Sequence, residues 1–127
     1  MVKILSLVLR YMPFIFFLGI LLFTILALVP GKAVPAVFVF WDKAQHVSAF
    51  IMLSVSGGLA FPGKARLTYL SLGIYGALIE VMQSTLTTTR HGDFFDWLAD
   101  SIGILIGAGI CTVLAGLIAR HTAVTQS

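Results

Sequence analysis

Residues 12–29 read MPFIFFLGILLFTILALV, an apolar stretch that contains no charged side chain and ends at Pro30-Gly31. Because about 20 apolar residues span the hydrocarbon core of a bilayer as a helix, this stretch predicts a membrane span. A cleaved signal peptide is the alternative, but its apolar core normally has about 7 to 15 residues and a small-x-small exit. We therefore expect an uncleaved first transmembrane helix.

The composition of the whole chain agrees with a membrane location. Of the 127 residues, 59% are hydrophobic and 10% are charged, and the mean hydropathy is +1.05. A soluble domain needs roughly a quarter to a third of its surface positions charged, so an ordinary soluble domain is excluded. The net charge of +3 comes from scattered Lys and Arg residues without a basic stripe, and we expect no nucleic-acid partner.

Three further apolar runs follow the first one, at residues 44–61, 67–86 and 94–119. Pro62-Gly63 separates two of them, which predicts a tight helical hairpin. Backbone groups in lipid must be satisfied within their own segment, and these runs lack the alternation of barrel strands. We predict one all-α membrane domain over residues 1–127, a four-transmembrane-helix bundle that contacts the lipid bilayer.

The distribution of Lys and Arg predicts the orientation of this bundle. With four spans, five basic residues share one side of the membrane, namely Lys3, Arg10, Lys64, Arg66 and Arg120. Three lie on the other side, namely Lys32, Lys43 and Arg90. Because basic residues are enriched in cytoplasmic segments, both termini are expected in the cytoplasm.

Ionisable and amide side chains gather in the outer half of the predicted bundle. They are Asp42, Lys43, His46, Glu80, Gln83, Arg90, His91, Asp93, Asp96 and Asp100. At a rise of about 1.5 Å per residue, His46, Glu80 and Asp100 lie at similar depths on three helices. Ionisable groups inside a span almost always face the bundle interior or a wet cavity, so we expect one shared pocket.

Small residues continue the acid-bearing faces of the third and fourth helices. Gly73 precedes Glu80 on one face, and Gly103 and Gly107 follow Asp100 on the other. Small residues let helices approach closely in lipid, so these three glycines are predicted packing positions. A purely structural interpretation of the polar groups stays open, in which Glu80 is a hydrogen-bonding strut.

The polar pattern as a whole resembles the VanZ-like membrane protein family. The resemblance covers residues 42–107 and rests on Asp42-Lys43-x-x-His46, Glu80-x-x-Gln83 and Arg90-x-x-Asp93-x-x-Asp96, with Gly103 and Gly107. It implies a multi-pass protein of the bacterial cytoplasmic (inner) membrane, in some relatives linked to antibiotic resistance through lowered sensitivity to lipoglycopeptides. The family usually carries Asn where this chain has Asp100, and we expect Asp100 to be a neutral hydrogen-bond donor.

The first functional hypothesis is an outward-facing pocket that binds or acts on a cell-envelope component, either a lipid-linked or a cell-wall precursor. Neighbouring carboxylates in a desolvated pocket can divide the roles of acid and base, and His46, Glu80 and Asp96 are the predicted catalytic residues. The predicted substrate-binding residues are Asp42, Lys43, Gln83, Arg90, Asp93 and Asp100. Without an obvious nucleophile, hydrolysis by an activated water is favoured over a covalent route.

Two other hypotheses stay open. One is a small proton-coupled carrier, because chains of acids and His in spans mark proton relays. The other is a structural or partner-binding subunit without chemistry, and a homo-oligomer is compatible with each hypothesis. No cofactor is required, although a divalent cation held by Asp93, Asp96, Glu80 and His46 is an alternative, since oxygen-rich sites suit Mg²⁺ or Mn²⁺.

Overall fold

The computed structural model describes residues 2–29 and 39–125. All regular structure in these residues is helical, which confirms the predicted all-α class. The long helices are α1 (Val2–Leu28), α2 (Val39–Ala60), α3 (Ala65–Leu86) and α4 (Phe94–Thr125), with a short 3-10 helix at Pro62–Lys64. Lys32, used above for the orientation, lies outside the described residues.

Two of these helices are long and apolar enough to cross a membrane, at Ile4–Leu28 and Phe94–His121. The α2 and α3 segments, Asp42–Ala60 and Pro62–Leu86, meet that test as a pair bent by 111°. By length and composition, the described residues therefore contain two candidate membrane spans, or three if the bent pair is one broken span. The bend between α2 and α3 is therefore smaller than the full reversal of direction that the predicted tight hairpin would have.

Helix α2 lies at the centre and packs against each of the other three long helices, most extensively against α4. Helices α2 and α4 run in the same direction, because Val47 lies beside Gly103 and Ser54 lies beside Gly107. Helix α1 runs in the opposite direction, since Phe16 lies beside Gly57 while Phe23 lies beside His46.

Helix α3 also runs opposite to α4, because Tyr69 lies near Cys111 while Glu80 bonds Asp93. The long helices thus alternate in direction along the chain. As a consequence, the ends of α1 and α3 and the starts of α2 and α4 meet at one end of the molecule.

Glycines of α4 allow its close approach to α2. A Cβ atom at Gly103 would lie 2.6 Å from the Val47 carbonyl oxygen, and one at Gly107 would lie 2.7 Å from the Ile51 carbonyl oxygen. Backbone atoms cannot move aside as a flexible side chain can. Positions 103 and 107 therefore require glycine for this packing.

Gly73 does not share this role, which corrects the sequence-based expectation. A Cβ atom there would meet nothing within 4 Å, whereas one at Gly76 would lie 2.7 Å from Asp100 Oδ2. The reason is rotational, because the buried face of α3 passes through Gly76 and Glu80. The Gly73 carbonyl instead accepts a hydrogen bond of 3.0 Å from the Trp97 indole N–H.

The interior and the exterior of the molecule are both apolar. Buried side chains of all four long helices form one cluster, which comprises Phe16, Phe50, Leu53, Leu72 and Ile104. Large apolar side chains also cover the outside, including Phe14, Leu26, Met52, Leu70 and Leu105. Extended apolar surface of this kind suits contact with lipid.

Candidate functional site

The deepest polar contact at this end of the molecule joins α2 to α4. His46 Nδ1 lies 2.8 Å from Asp100 Oδ1, and the two residues are only 3% and 0% exposed. Phe23 of α1 packs edge-on against the imidazole, with 5.4 Å between the ring centroids. The ring of His46 is therefore held by a carboxylate and by an aromatic side chain.

Helix α3 contributes Glu80 to this site. Its Oε2 atom accepts a hydrogen bond of 2.7 Å from the backbone N–H of Asp93. One turn later, Ser84 Oγ accepts a bond of 3.0 Å from the Gly92 N–H and donates one of 2.9 Å to the Glu80 carbonyl oxygen. A side chain at Gly92 would collide with that carbonyl. The end of α3 thus fixes the loop that leads into α4.

Asp93 caps the N-terminus of helix α4. Its Oδ1 atom accepts a hydrogen bond of 2.9 Å from the Phe95 N–H, which is the geometry of an N-cap, and its Oδ2 atom lies 3.0 Å from Lys43 Nζ. The Phe95 hydrogen bond and, after it, the Lys43 ammonium hold the pKa of Asp93 below its ordinary value. Asp93 is therefore an anion at neutral pH.

Ion pairs surround the buried groups. Lys43 Nζ also lies 2.6 Å from Asp96 Oδ1, and the two side chains are 32% and 10% exposed. Arg90 Nη1 lies 4.0 Å from Asp42 Oδ1 in a more exposed and looser pair. Exposed pairs of this kind contribute little to stability, so Arg90 is less constrained than Lys43.

The predicted catalytic residues do lie together. Ligand-capable atoms of Asp42, His46 and Asp96 lie within 4.8 Å of one another, and so do those of His46, Glu80 and Asp100. His46 belongs to both groups, so three helices supply one continuous cluster. Its residue types could hold a metal ion or transfer protons.

The predicted substrate-binding residues do not all reach this cluster. Asp42 and Asp100 belong to it, Lys43 and Asp93 bond its members Asp96 and Glu80, and Arg90 lies beside Asp42 at its rim. Gln83 is buried, and its amide N–H donates a bond of 3.0 Å to the Ala27 carbonyl oxygen of α1. This bond fixes α1 against α3 instead of presenting the amide to the cluster.

An open groove of about 290 Å³ lies between α3 and α4 and reaches Glu80 from the side. Its lining residues are Ala77, Glu80, Val81, Ser84, Gly92, Asp93, Phe94 and Trp97. Val81 and Phe94 contribute exposed apolar side chains to this lining, and Glu80 and Asp93 contribute carboxylates beside them. The sequence gives no indication of this groove apart from the aromatic Trp97 next to the acidic Asp96. Its other apolar residues are of the kinds that also face lipid.

The arrangement can perform two kinds of chemistry. A carboxylate-oriented His beside a second carboxylate can accept and return protons, and the Lys and Arg at the rim can attract an anionic group. The groove adds a lateral opening with apolar walls.

Searches of protein-family models, of curated proteins and of solved structures found no match to this chain.

Proposed function

We propose that this chain is a VanZ-like protein of the bacterial cytoplasmic membrane whose polar cluster binds the charged head of a lipid-linked cell-envelope component. The observation that carries the proposal is the groove between α3 and α4, which apolar Val81 and Phe94 line together with the carboxylate of Glu80. An amphiphile matches this mixed lining. Its chain can lie against Val81 and Phe94, and an anionic head would lie toward Arg90, two residues before Gly92 of the lining, because Glu80 and Asp93 are themselves acidic.

Arg90 favours a phosphate-bearing head. Its pair with Asp42 is 4.0 Å long and partly exposed, so the guanidinium can turn to a ligand at small cost. A guanidinium binds phosphate oxygens through two parallel hydrogen bonds. Lys43 is less available, because Asp93 and Asp96 both bond its ammonium group.

His46 is the residue best suited to proton transfer. Asp100 bonds its Nδ1 atom, and a carboxylate in this position orients an imidazole and stabilises its protonated form. If the bound head is hydrolysed, His46 acts as general base toward the attacking water. Binding without hydrolysis would leave the same residues as head-group contacts.

We further propose that all four long helices cross the membrane, with both termini in the cytoplasm and the polar cluster near the outer face. The alternating helix directions support this topology. The excess of Lys and Arg on the side that holds Lys64 and Arg66 supports the orientation.

Binding of a polyprenyl diphosphate to the purified protein in lipid nanodiscs tests the proposal, with native mass spectrometry as readout. Val81→Trp fills the groove, and Leu70→Trp places the same side chain at another exposed α3 position outside it. We expect Val81→Trp to weaken binding more than about ten-fold, which corresponds to about 1.4 kcal/mol, and Leu70→Trp to leave it unchanged.

An uncharged polyprenol of the same length is the ligand control. It should bind the wild-type protein more weakly than the diphosphate, and Arg90→Gln should remove most of that difference. Equal binding to all variants would contradict the groove. No binding to the wild-type protein would favour a structural or partner-binding subunit.

A further inference from the structure

Two carboxylate oxygens in the polar cluster are buried and bond no other described atom. They are Glu80 Oε1 and Asp100 Oδ2, on residues that are 9% and 0% exposed. A buried polar atom without a partner costs free energy, and a buried charge costs far more. Each oxygen therefore requires a proton, a cation or a buried water that donates a hydrogen bond.

The cationic side chains near this cluster bond or lie beside other carboxylate oxygens. Lys43 Nζ bonds Asp93 and Asp96, and Arg90 lies beside Asp42 at the rim. His46 Nδ1 bonds the other oxygen of Asp100. Among residues 2–29 and 39–125, no Lys or Arg nitrogen bonds Glu80 Oε1 or Asp100 Oδ2.

The geometry of the three buried residues suits a bound ion. His46, Glu80 and Asp100 each offer one ligand atom, and these atoms lie within 4.8 Å of one another. Zinc bonds to nitrogen and oxygen of about 2.0 to 2.2 Å place the ligands of one ion roughly 3 to 4 Å apart. Only a small contraction would close the group around an ion. Glycine at position 76 allows Asp100 to pack against α3, because a Cβ atom there would lie 2.7 Å from Asp100 Oδ2.

We propose that His46, Glu80 and Asp100 bind a divalent transition-metal cation, Zn²⁺ or Mn²⁺. One imidazole nitrogen and two carboxylate oxygens suit these ions. Two carboxylates also balance the charge of a divalent ion, so the occupied site is neutral in a medium where net charge is costly. The proposal does not depend on head-group binding, since metal binding is measured without an envelope substrate, but an occupied site makes His46 a ligand and not a general base.

The second group, Asp42, His46 and Asp96, is the competing site. Its acids already face cations, because Asp96 bonds Lys43 and Asp42 lies beside Arg90. A divalent ion there would have to displace or repel these side chains. The protonated state of Asp100 expected from the sequence is the other alternative, because a proton would satisfy one of the two buried oxygens without metal.

The test uses the full chain in detergent, treated with a chelator and desalted, then supplied with Zn²⁺, Mn²⁺ or Mg²⁺. Elemental analysis after a second desalting gives the stoichiometry, and titration calorimetry gives the affinity. We expect about one Zn²⁺ or Mn²⁺ per chain and much weaker binding of Mg²⁺, which usually keeps several waters and avoids all-protein cages.

Variants of nearly equal shape distinguish the two groups of ligands. Glu80→Gln and Asp100→Asn should each weaken metal binding more than about ten-fold. Loss of a residue that only orients a ligand already costs about this much affinity, and loss of a ligand should cost at least as much. Asp42→Asn and Asp93→Asn remove the same charge from the same end of the molecule and should retain the ion. Circular dichroism and gel filtration establish that each variant is folded. If only one of Glu80→Gln and Asp100→Asn folds, that variant suffices for the test.

Three results would overturn the proposal. Retention of the ion by folded Glu80→Gln and Asp100→Asn together with its loss in Asp42→Asn would assign it to the competing site. Loss in Asp93→Asn equal to that in Glu80→Gln would indicate a non-specific response to charge. Failure of the wild-type chain to bind Zn²⁺ or Mn²⁺, with an infrared carboxylic-acid band that Asp100→Asn removes, would show that protons satisfy the buried oxygens.

Discussion

Lys43 Nζ lies 2.6 Å from Asp96 Oδ1, across the contact between α2 and α4. The Asp96 side chain is only 10% exposed, whereas that of Lys43 is 32% exposed. The ammonium group is thus the counter-charge of a carboxylate that water hardly reaches. This pair connects the N-terminal part of α2 to the first turn of α4.

Replacement of Lys43 by Met should destabilise the protein, because Asp96 would remain buried without its partner. We expect the free energy of unfolding to fall by about 1 to 3 kcal/mol. The partial exposure of Lys43 keeps the loss below that of a fully buried pair. Chemical unfolding in detergent micelles measures it. Lys64→Met, at an exposed position, should change stability by less than about 0.5 kcal/mol.

The double variant Lys43→Met with Asp96→Asn provides the decisive comparison, because it also removes the Asp96 charge that Lys43→Met leaves without a partner. The double variant should recover part of the stability lost by Lys43→Met. A double variant as unstable as the single one would mean that the unpaired Asp96 charge does not carry the effect.

Alanine at Gly107 should weaken the α2–α4 contact. The new Cβ would lie 2.7 Å from the Ile51 carbonyl oxygen, so the helices must separate locally. Overpacking of this kind costs about 1 to 3 kcal/mol. Gly109→Ala on the same helix is the matched control, because a Cβ there meets nothing within 4 Å. Thermal melting in detergent compares them, and equal melting temperatures would contradict the close packing at position 107.

The stability of the fold should depend on Asp93 in acid. The Phe95 N–H and the Lys43 ammonium lower the pKa of Asp93 in the folded protein. Its contribution is therefore complete above the unfolded value of about 3.9 and is lost as the pH falls through the folded value. Asp93→Asn keeps a capping side chain and removes the titration.

Melting temperatures of the wild-type protein and Asp93→Asn, measured from neutral pH downward, test this expectation. The difference between the two proteins should be constant above about pH 5 and should shrink below about pH 4. A difference that stays constant through the acid range would show that Asp93 has an ordinary pKa in the folded state.

Single cysteines at Gly63 and Thr89 should report the topology in a Cys111→Ala background. Both positions are exposed and lie at opposite ends of α3. An impermeant thiol reagent added to intact cells should label position 89 and spare position 63, with labelling of position 63 after lysis as the control. The opposite pattern would reverse the orientation. Labelling of both positions in intact cells would mean that α3 does not cross the membrane.

Much of the fold follows from local rules that a sequence displays directly. Long apolar runs such as residues 12–29 must be helical in lipid, because their backbone groups have no other partners. Spacings of three and four residues place Asp93, Asp96 and Asp100 on one side of α4. Together with His46 on α2, they identify the end of the molecule where the polar groups gather.

Only the tertiary structure decided which side chains within this end are partners. His46 bonds Asp100 while Asp96 bonds Lys43, Gly76 and not Gly73 faces Asp100, and Gln83 bonds α1. The physical reason is that such pairings depend on the rotation and axial offset of packed helices. A shift of one residue turns a side chain by about 100° and moves it by about 1.5 Å, so spacing along one helix defines a face but not its partner on the next.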